Sequence, residues 1–140
     1  MTYLLDTCLI SELVSKQPNR KVLDWLDAQI PEAVYLSVIT MGEIAKGISK
    51  LASSQRKEHL DIWLKQALPN RFAGRIISVD LQTMLLWGEL VGKLEKQGRP
   101  IPMMDSLIAA IALQNSLSLV TRNEKDIAGT EVVIINPWTI

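Results

Sequence analysis

Four acidic residues, spread along this chain from one end to the other, each stand where a short apolar run ends or a helical stripe begins. They are Asp6 after Tyr3-Leu4-Leu5, Glu43 in Thr40-Met41-Gly42-Glu43, Asp105 in Met103-Met104-Asp105-Ser106, and Asp126 in Thr121-Arg122-Asn123-Glu124-Lys125-Asp126. Short strand-like runs alternate with helical stripes throughout. That alternation predicts an α/β fold, with a central, mainly parallel sheet flanked by helices. In an open parallel sheet the carboxyl ends of the strands share one crevice, which is where such folds bind ligands. Carboxylates gathered there repel one another, and a hard divalent cation such as Mg²⁺ or Mn²⁺ relieves the repulsion through oxygen ligands. The pattern points to metal-assisted phosphoryl chemistry.

Tyr3-Leu4-Leu5 reads as a buried strand, and Asp6 as the cap of a helix carrying Leu9, Ile10, Leu13 and Val14 on one face. Pro18 and Asn19 break the chain. Val22, Leu23 and Leu26, with Trp25, mark a second helix that ends before Pro31. Val34 to Ile39 predicts a strand, and Thr40 opens a helix with Ile44, Ile48 and Leu51 inward. Arg56 to Leu68 reads as an amphipathic helix closed by Pro69. Arg75 to Val79 predicts a strand, and Leu81 to Lys96 a long helix closed by Gly98 and Pro100. Asp105 heads the next helix, with Leu107, Ile108, Ile111 and Ala112 inward. Ser118 to Thr121 and Val132 to Ile135 are the last strands. The polar stretch Lys50 to Glu58 reads as a flexible connection. No repeat or linker divides the 140 residues, so one domain spanning 1–140 is expected.

Fifteen acids balance fifteen bases. No global field announces a nucleic-acid partner, and any phosphate contact must come from a local basic rim. The one cysteine, Cys8, excludes an internal disulfide and an all-cysteine zinc site. No apolar run reaches the roughly 18 residues that span a bilayer. The start lacks the basic segment of a signal peptide, and the cytoplasm is the expected compartment.

Each acid also has a structural alternative. Thr40-x-x-Glu43 before an apolar stripe has the form of a capping box, in which Glu43 bonds back to the Thr40 amide. Asp6 and Asp105 can each cap a helix or complement its dipole. Asp105, however, shares the sheet-facing stripe with Ile108 and Ala112, where an unpaired carboxylate is costly. Glu124-Lys125-Asp126 has the composition of a solvated turn. The functional reading rests on recurrence at several strand ends of one α/β pattern. Thr7, Ser37 and Thr121 can offer hydroxyls to the carboxylates or to a phosphate, and Lys46 and Arg122 can hold a phosphate backbone. Cys8 lacks a histidine partner and reads as a packed side chain. His59, the only histidine, falls in a polar helix and reads as surface. Trp25, Trp63 and Trp87 fall on apolar stripes and read as packing, and Trp138 as a seal over the carboxyl terminus.

Taken together, Leu4-Leu5-Asp6-Thr7-Cys8-Leu9-Ile10-Ser11-Glu12, Leu36-Ser37-Val38-Ile39-Thr40-Met41-Gly42-Glu43-Ile44, Asp105-Ser106-Leu107-Ile108-Ala109-Ala110-Ile111-Ala112, Val120-Thr121-Arg122-Asn123 and Asn136-Pro137-Trp138 resemble the PIN-domain ribonucleases of the VapC/FitB toxin type, nearly end to end. The resemblance implies a PIN-like parallel sheet and a metal-dependent endoribonuclease, with Mg²⁺ or Mn²⁺ as cofactor, acting as the toxin of a type II toxin–antitoxin pair. Asp6, Glu43 and Asp105 match the family's three core acids, catalytic and metal-ligating. The fourth metal position falls to Asn123 or Asp126, because some members carry an aspartate at the former and others use an acid three residues on. Asn123 follows Thr121-Arg122 directly and is expected to be the closer residue. The family's first motif usually reads Asp-Thr-Asn, and Cys8 stands here in place of the Asn, so the surroundings of the carboxylates differ. An RNA substrate, a homodimer and a cognate DNA-binding antitoxin are implied as partners. Ile62, Trp63, Leu86, Trp87 and Leu90, more large apolar groups than one small core requires, are the expected interface.

Rival chemistries meet missing residues. An aspartyl phosphatase needs a second Asp where Cys8 stands. A phospho-accepting receiver needs paired acids after the first strand and a lysine after the last. The alternative that stays open is a degenerate PIN domain that only binds RNA or protein. Its hallmark is a lost core acid, and Asp6, Glu43 and Asp105 are all present.

Overall fold

The computed structural model describes all of residues 1–140. Five short strands, β1 (Tyr3–Leu5), β2 (Val34–Ser37), β3 (Ile76–Ile77), β4 (Ser118–Val120) and β5 (Ile134–Ile135), form one sheet in the order β3-β2-β1-β4-β5. Every pairing is parallel. The period-two alternation of a strand divides the apolar side chains between two layers. Leu5, Val34, Leu36 and Val120 join the larger core, with Tyr3 packed against it; Leu4 and Leu119 join the smaller one, with Tyr35 against it.

The larger core lies under α1 (Thr7–Glu12), α2 (Arg20–Asp27), α3 (Val38–Ser49), α4 (Gln55–Ile62) and α5 (Leu68–Arg71), through Leu9, Ile10, Val22, Leu26, Ile44, Ile48 and Leu68. The smaller core lies under α7 (Met103–Gln114) and α8 (Glu124–Ile127), through Ile108, Ile111 and Ile127. The long α6 (Leu81–Lys96) packs on α7. It ends as its sequence predicts: Gly98 takes φ +68, the Gly98 amide bonds to the Glu95 carbonyl, and the Arg99 amide bonds to the Leu94 carbonyl. That pair of bonds is a Schellman close, which favours glycine at the left-handed residue.

The chain leaves β1 toward β2 and β3 on one side, and returns through α6 and α7 to β4 and β5 on the other. The connections after β1 and β4 therefore diverge, which opens a crevice between the ends of those two strands.

Several boundaries differ from the sequence expectation. The strand predicted to run to Ile39 stops at Ser37, whose hydroxyl accepts from the Thr40 amide at 3.2 Å and starts α3 at Val38. A cap fixes a helix start more firmly than the weak β-preference of Val38 and Ile39 opposes it. Pro69 does not close its helix. The residues Trp63–Ala67 widen into a π-helical turn and α5 continues through Pro69 to Arg71. A proline ring clashes with the carbonyl four residues back, and the wider turn accommodates it. The predicted strands at Arg75–Val79 and Val132–Ile135 shrink to two residues each, both at sheet edges. The connection predicted over Lys50–Glu58 is shorter, because Ser54 caps α4 by accepting from the Lys57 amide at 3.1 Å. No helix is long and apolar enough to cross a membrane.

Candidate active site

Asp6 lies one residue past β1, beside Thr121, one residue past β4. The register Leu5↔Val120 fixes this, and the Asp6 amide bonds to the Val120 carbonyl at 3.0 Å. Asp6 is 3% exposed. Its Oδ1 accepts from the Thr7 amide at 2.7 Å and its Oδ2 from the Thr121 hydroxyl at 2.6 Å. Two donors at these distances offset the cost of burying the carboxylate and fix its direction.

Glu43 projects from the second turn of α3. The capping box predicted for it does not form, since Ser37 takes the Thr40 amide and Glu43 turns to α1 instead. The Thr7 hydroxyl donates to Glu43 Oε1 at 2.6 Å and lies 3.0 Å from the Thr40 hydroxyl. Thr7 has one hydroxyl proton and spends it on the carboxylate, so Thr40 must be the donor to Thr7. Thr40 thus steers Glu43 through a hydroxyl relay that the sequence reading missed. The available signal was its position one turn before Glu43 on the same face of α3.

Asp105 sits half-buried in the first turn of α7. Burial pushes its carboxyl up to about 6, and the negative charges of Asp6, Asp126 and Glu43 add to that push. The other three acids found by sequence are therefore each within electrostatic reach of Asp105. Asp126 lies exposed on α8, yet its charge bears on Asp105. Asn123 precedes α8, half-buried, with its amide donating to Thr121 Oγ1 at 3.0 Å; its side chain caps nothing.

Lys46 and Glu43 line one cavity of about 360 Å³ with Val38, Gly42 and Met104. Arg122 is exposed next to Thr121, its guanidinium 5.2 Å from the centre of the Trp138 ring. Ser37, offered from sequence as a site hydroxyl, is fully buried and spent on the α3 cap. Cys8 Sγ lies 3.8 Å from Asp6 Oδ2 and 3.7 Å from Thr121 Oγ1. Burial raises its pKa, the Asp6 charge raises it further, and hydrogen bonds and the Arg122 charge oppose the shift. A thiol kept protonated is a poor nucleophile, so Cys8 packs against the site and does not attack from it. His59 is exposed on α4.

The donor set is all oxygen and strongly negative, and the chain's three ion pairs lie elsewhere. It fits a hard divalent cation in chemistry. In the side-chain poses of the structure no three such groups converge on one ion-sized point. Closure on a cation would require side-chain rotation from these positions.

Comparison with known proteins places the chain in a family. The toxin FitB of Neisseria gonorrhoeae is 38% identical over 96% of this chain and 97% of its own length. The structure of FitAB bound to an IR36 DNA fragment superposes with a TM-score of 0.93 at 35% identity, over 99% of this chain and 97% of that one. The VapC ribonuclease Y4jK of Sinorhizobium fredii is 33% identical over 96% of both chains. A toxin–antitoxin complex from Klebsiella pneumoniae matches with a TM-score of 0.74 at 26% identity, over 97% of this chain and 98% of that one. The sequence model of the PIN domain matches residues 3–130, a span that holds β1, β4 and all four acids, and the chain belongs to the PIN domain family.

Proposed function

We propose that this chain is a metal-dependent endoribonuclease, the toxin of a type II toxin–antitoxin pair, which hydrolyses RNA phosphodiesters. The observation that carries the reading is the state of Asp105, whose carboxyl is raised to about 6 by burial and, beyond that, by the negative charges of Asp6, Asp126 and Glu43. Structural acids disperse over a surface; acids held together against their repulsion mark a functional site.

Asp6, Glu43 and Asp105, with Asp126 or Asn123, would hold Mg²⁺ or Mn²⁺. When bound, such an ion supplies an activated water and neutralises the departing oxygen. The chain's own residues do the rest. Thr7 and Thr121 aim the carboxylates. Lys46 and Arg122 meet the RNA phosphates at the rim of a crevice that is otherwise acidic. No side chain serves as a nucleophile.

A toxin needs restraint, and relatives carry names or come from assemblies that imply one. A groove lined by Thr7, Val14, Glu43, Leu51, Leu60 and Trp63 runs beside the crevice and suits an apolar antitoxin segment. An antitoxin that binds DNA, a homodimer and a cytoplasmic location complete the reading. Divalent-dependent cleavage of RNA by the wild type, beside Asp6→Asn and a chelator control, tests it. Equal cleavage by wild type and Asp6→Asn would overturn it.

A further inference from the structure

The loop between β4 and α8 is held by the turn Asn136-Pro137-Trp138. The Arg122 guanidinium stands 5.2 Å from the Trp138 ring centre. Two residues on, Glu124 Oε2 accepts from the Asn136 side-chain amide at 2.7 Å. Asn136 Oδ1 in turn accepts from the Trp138 backbone amide at 3.0 Å. The turn Asn136-Pro137-Trp138 therefore holds this loop on both sides of Asn123. The turn is itself anchored, because Trp138 packs against the larger core.

The chemistry of the contact suits a substrate cation. The face of an indole attracts a guanidinium through its quadrupole and takes up none of its N–H donors. Arg122 forms no ion pair within the chain, so those donors stay free for the planar, paired contacts that guanidinium makes with phosphate. A flexible arginine would lose conformational freedom on binding; one already leaning on a fixed ring loses less.

Resting on the nuclease reading of the site, we propose that Trp138 and Asn136 are positioning residues that hold Arg122 at the mouth of the crevice to receive the RNA backbone beside the cut. The turn acts on substrate binding and not on the chemical step.

The test uses the full chain, Mn²⁺ and a mixed-sequence pool of end-labelled RNA oligonucleotides. Trp138→Ala should raise KM by roughly fivefold, the size of a partly exposed cation–π contact, with kcat little changed. Arg122→Ala should do the same and lower the salt slope of binding by about one. The double variant should be no worse than Arg122→Ala alone. Trp138→Phe, which keeps a ring and loses no hydrogen bond because the indole N–H is buried without an acceptor, should recover most of the loss. Because Trp138→Ala risks unfolding, a second pair is decisive: Glu124→Ala should have a higher KM than Glu124→Gln, which removes the same charge but keeps an acceptor for Asn136. Additive effects of Trp138 and Arg122, or equal KM for the two Glu124 variants, would overturn the proposal. RNA affinity measured by anisotropy in a chelator separates the two readings. Wild type that binds RNA through this clamp without cleaving it would sink the nuclease reading and leave the clamp standing.

Discussion

Thr7 and Glu43, 36 residues apart in sequence, share a hydrogen bond of 2.6 Å that couples the start of α1 to the second turn of α3. The Thr7 amide holds Asp6 as well, so one residue orients two of the three core acids. Thr7→Val removes the hydroxyl and leaves the amide. A hydrogen bond to a charged group is worth about 1.5–3 kcal/mol, so RNA cleavage should fall by at least tenfold while the fold survives. Thr7→Ser should keep most of the activity. Steady-state cleavage assays on both variants check this, and an unimpaired Thr7→Val would remove Thr7 from the site.

Asp105 makes the metal-free protein sensitive to pH. Its carboxyl titrates near 6 in the folded chain, above its ordinary value of 3.8. Between those values the folded state keeps a proton that the unfolded state has lost, so stability falls as pH rises through this window, and the full penalty is in place above it. Partial exposure screens the effect. In a chelator, Asp105→Asn should melt a few degrees above wild type at pH 8, and the gap should close by pH 4. Added Mg²⁺ at pH 8 should raise the wild-type melting temperature and leave Asp105→Asn little changed. Thermal scans at both pH values decide the matter; equal gaps at the two would contradict it.

The fourth metal position can be assigned by titration. Asp126 adds its charge to Asp105 from an exposed place on α8, whereas Asn123 contributes only an amide dipole. Asp126→Asn should lower the Asp105 pKa toward the ordinary range and raise the Mg²⁺ concentration needed for half-maximal cleavage severalfold. Asn123→Ala should leave that pKa in place. A carbon-detected NMR titration of the Asp105 carboxyl reads the first effect directly. A larger rise in Mg²⁺ requirement for Asn123→Ala would assign the position to Asn123.

The proposed homodimer has a more specific candidate face than the sequence offered. Of the five residues expected there, Ile62 is exposed and Trp63, Leu86, Trp87 and Leu90 are half-buried; the Trp87 indole donates to Ser106 at 2.8 Å, between α6 and α7. The large apolar side chains left exposed on these two helices are Leu81, Met84 and Leu85 on α6 and Met103 and Met104 on α7. Light scattering coupled to size exclusion should find a dimer for wild type and a monomer for Leu85→Glu, with unchanged melting of the monomer. A dimer that survives Leu85→Glu would place the interface elsewhere.

The sequence made the architecture legible because strand and helix periods differ and the acids punctuate them. It misread boundaries where a local interaction outcompeted the pattern. Ser37 and Thr40 both had the composition of a cap. Only the packed structure decides that Ser37 takes the role and frees Glu43 for Thr7. Pro69 looked like a helix stop because a proline opposes the regular α-turn, and the π-helical turn ahead of it has no signature in composition. The carboxylates were legible as residue types at strand ends, but their alignment was not. Thr40 and Trp138 act through partners distant in sequence, Thr7 and Arg122, and no local pattern announces such pairs.

The bond from Thr121 to Asp6 spans 115 residues. Contacts of such separation carry a loop-closure cost and form late in folding. During synthesis, β1 emerges first and waits with a lone aspartate at its tip. Its neighbour Thr121 follows only 115 residues after Asp6. A nascent chain can therefore build the α1–α5 layer without building a working crevice. Timing is written into the strand order: the central strand is made first and the strand that completes its site is made nearly last.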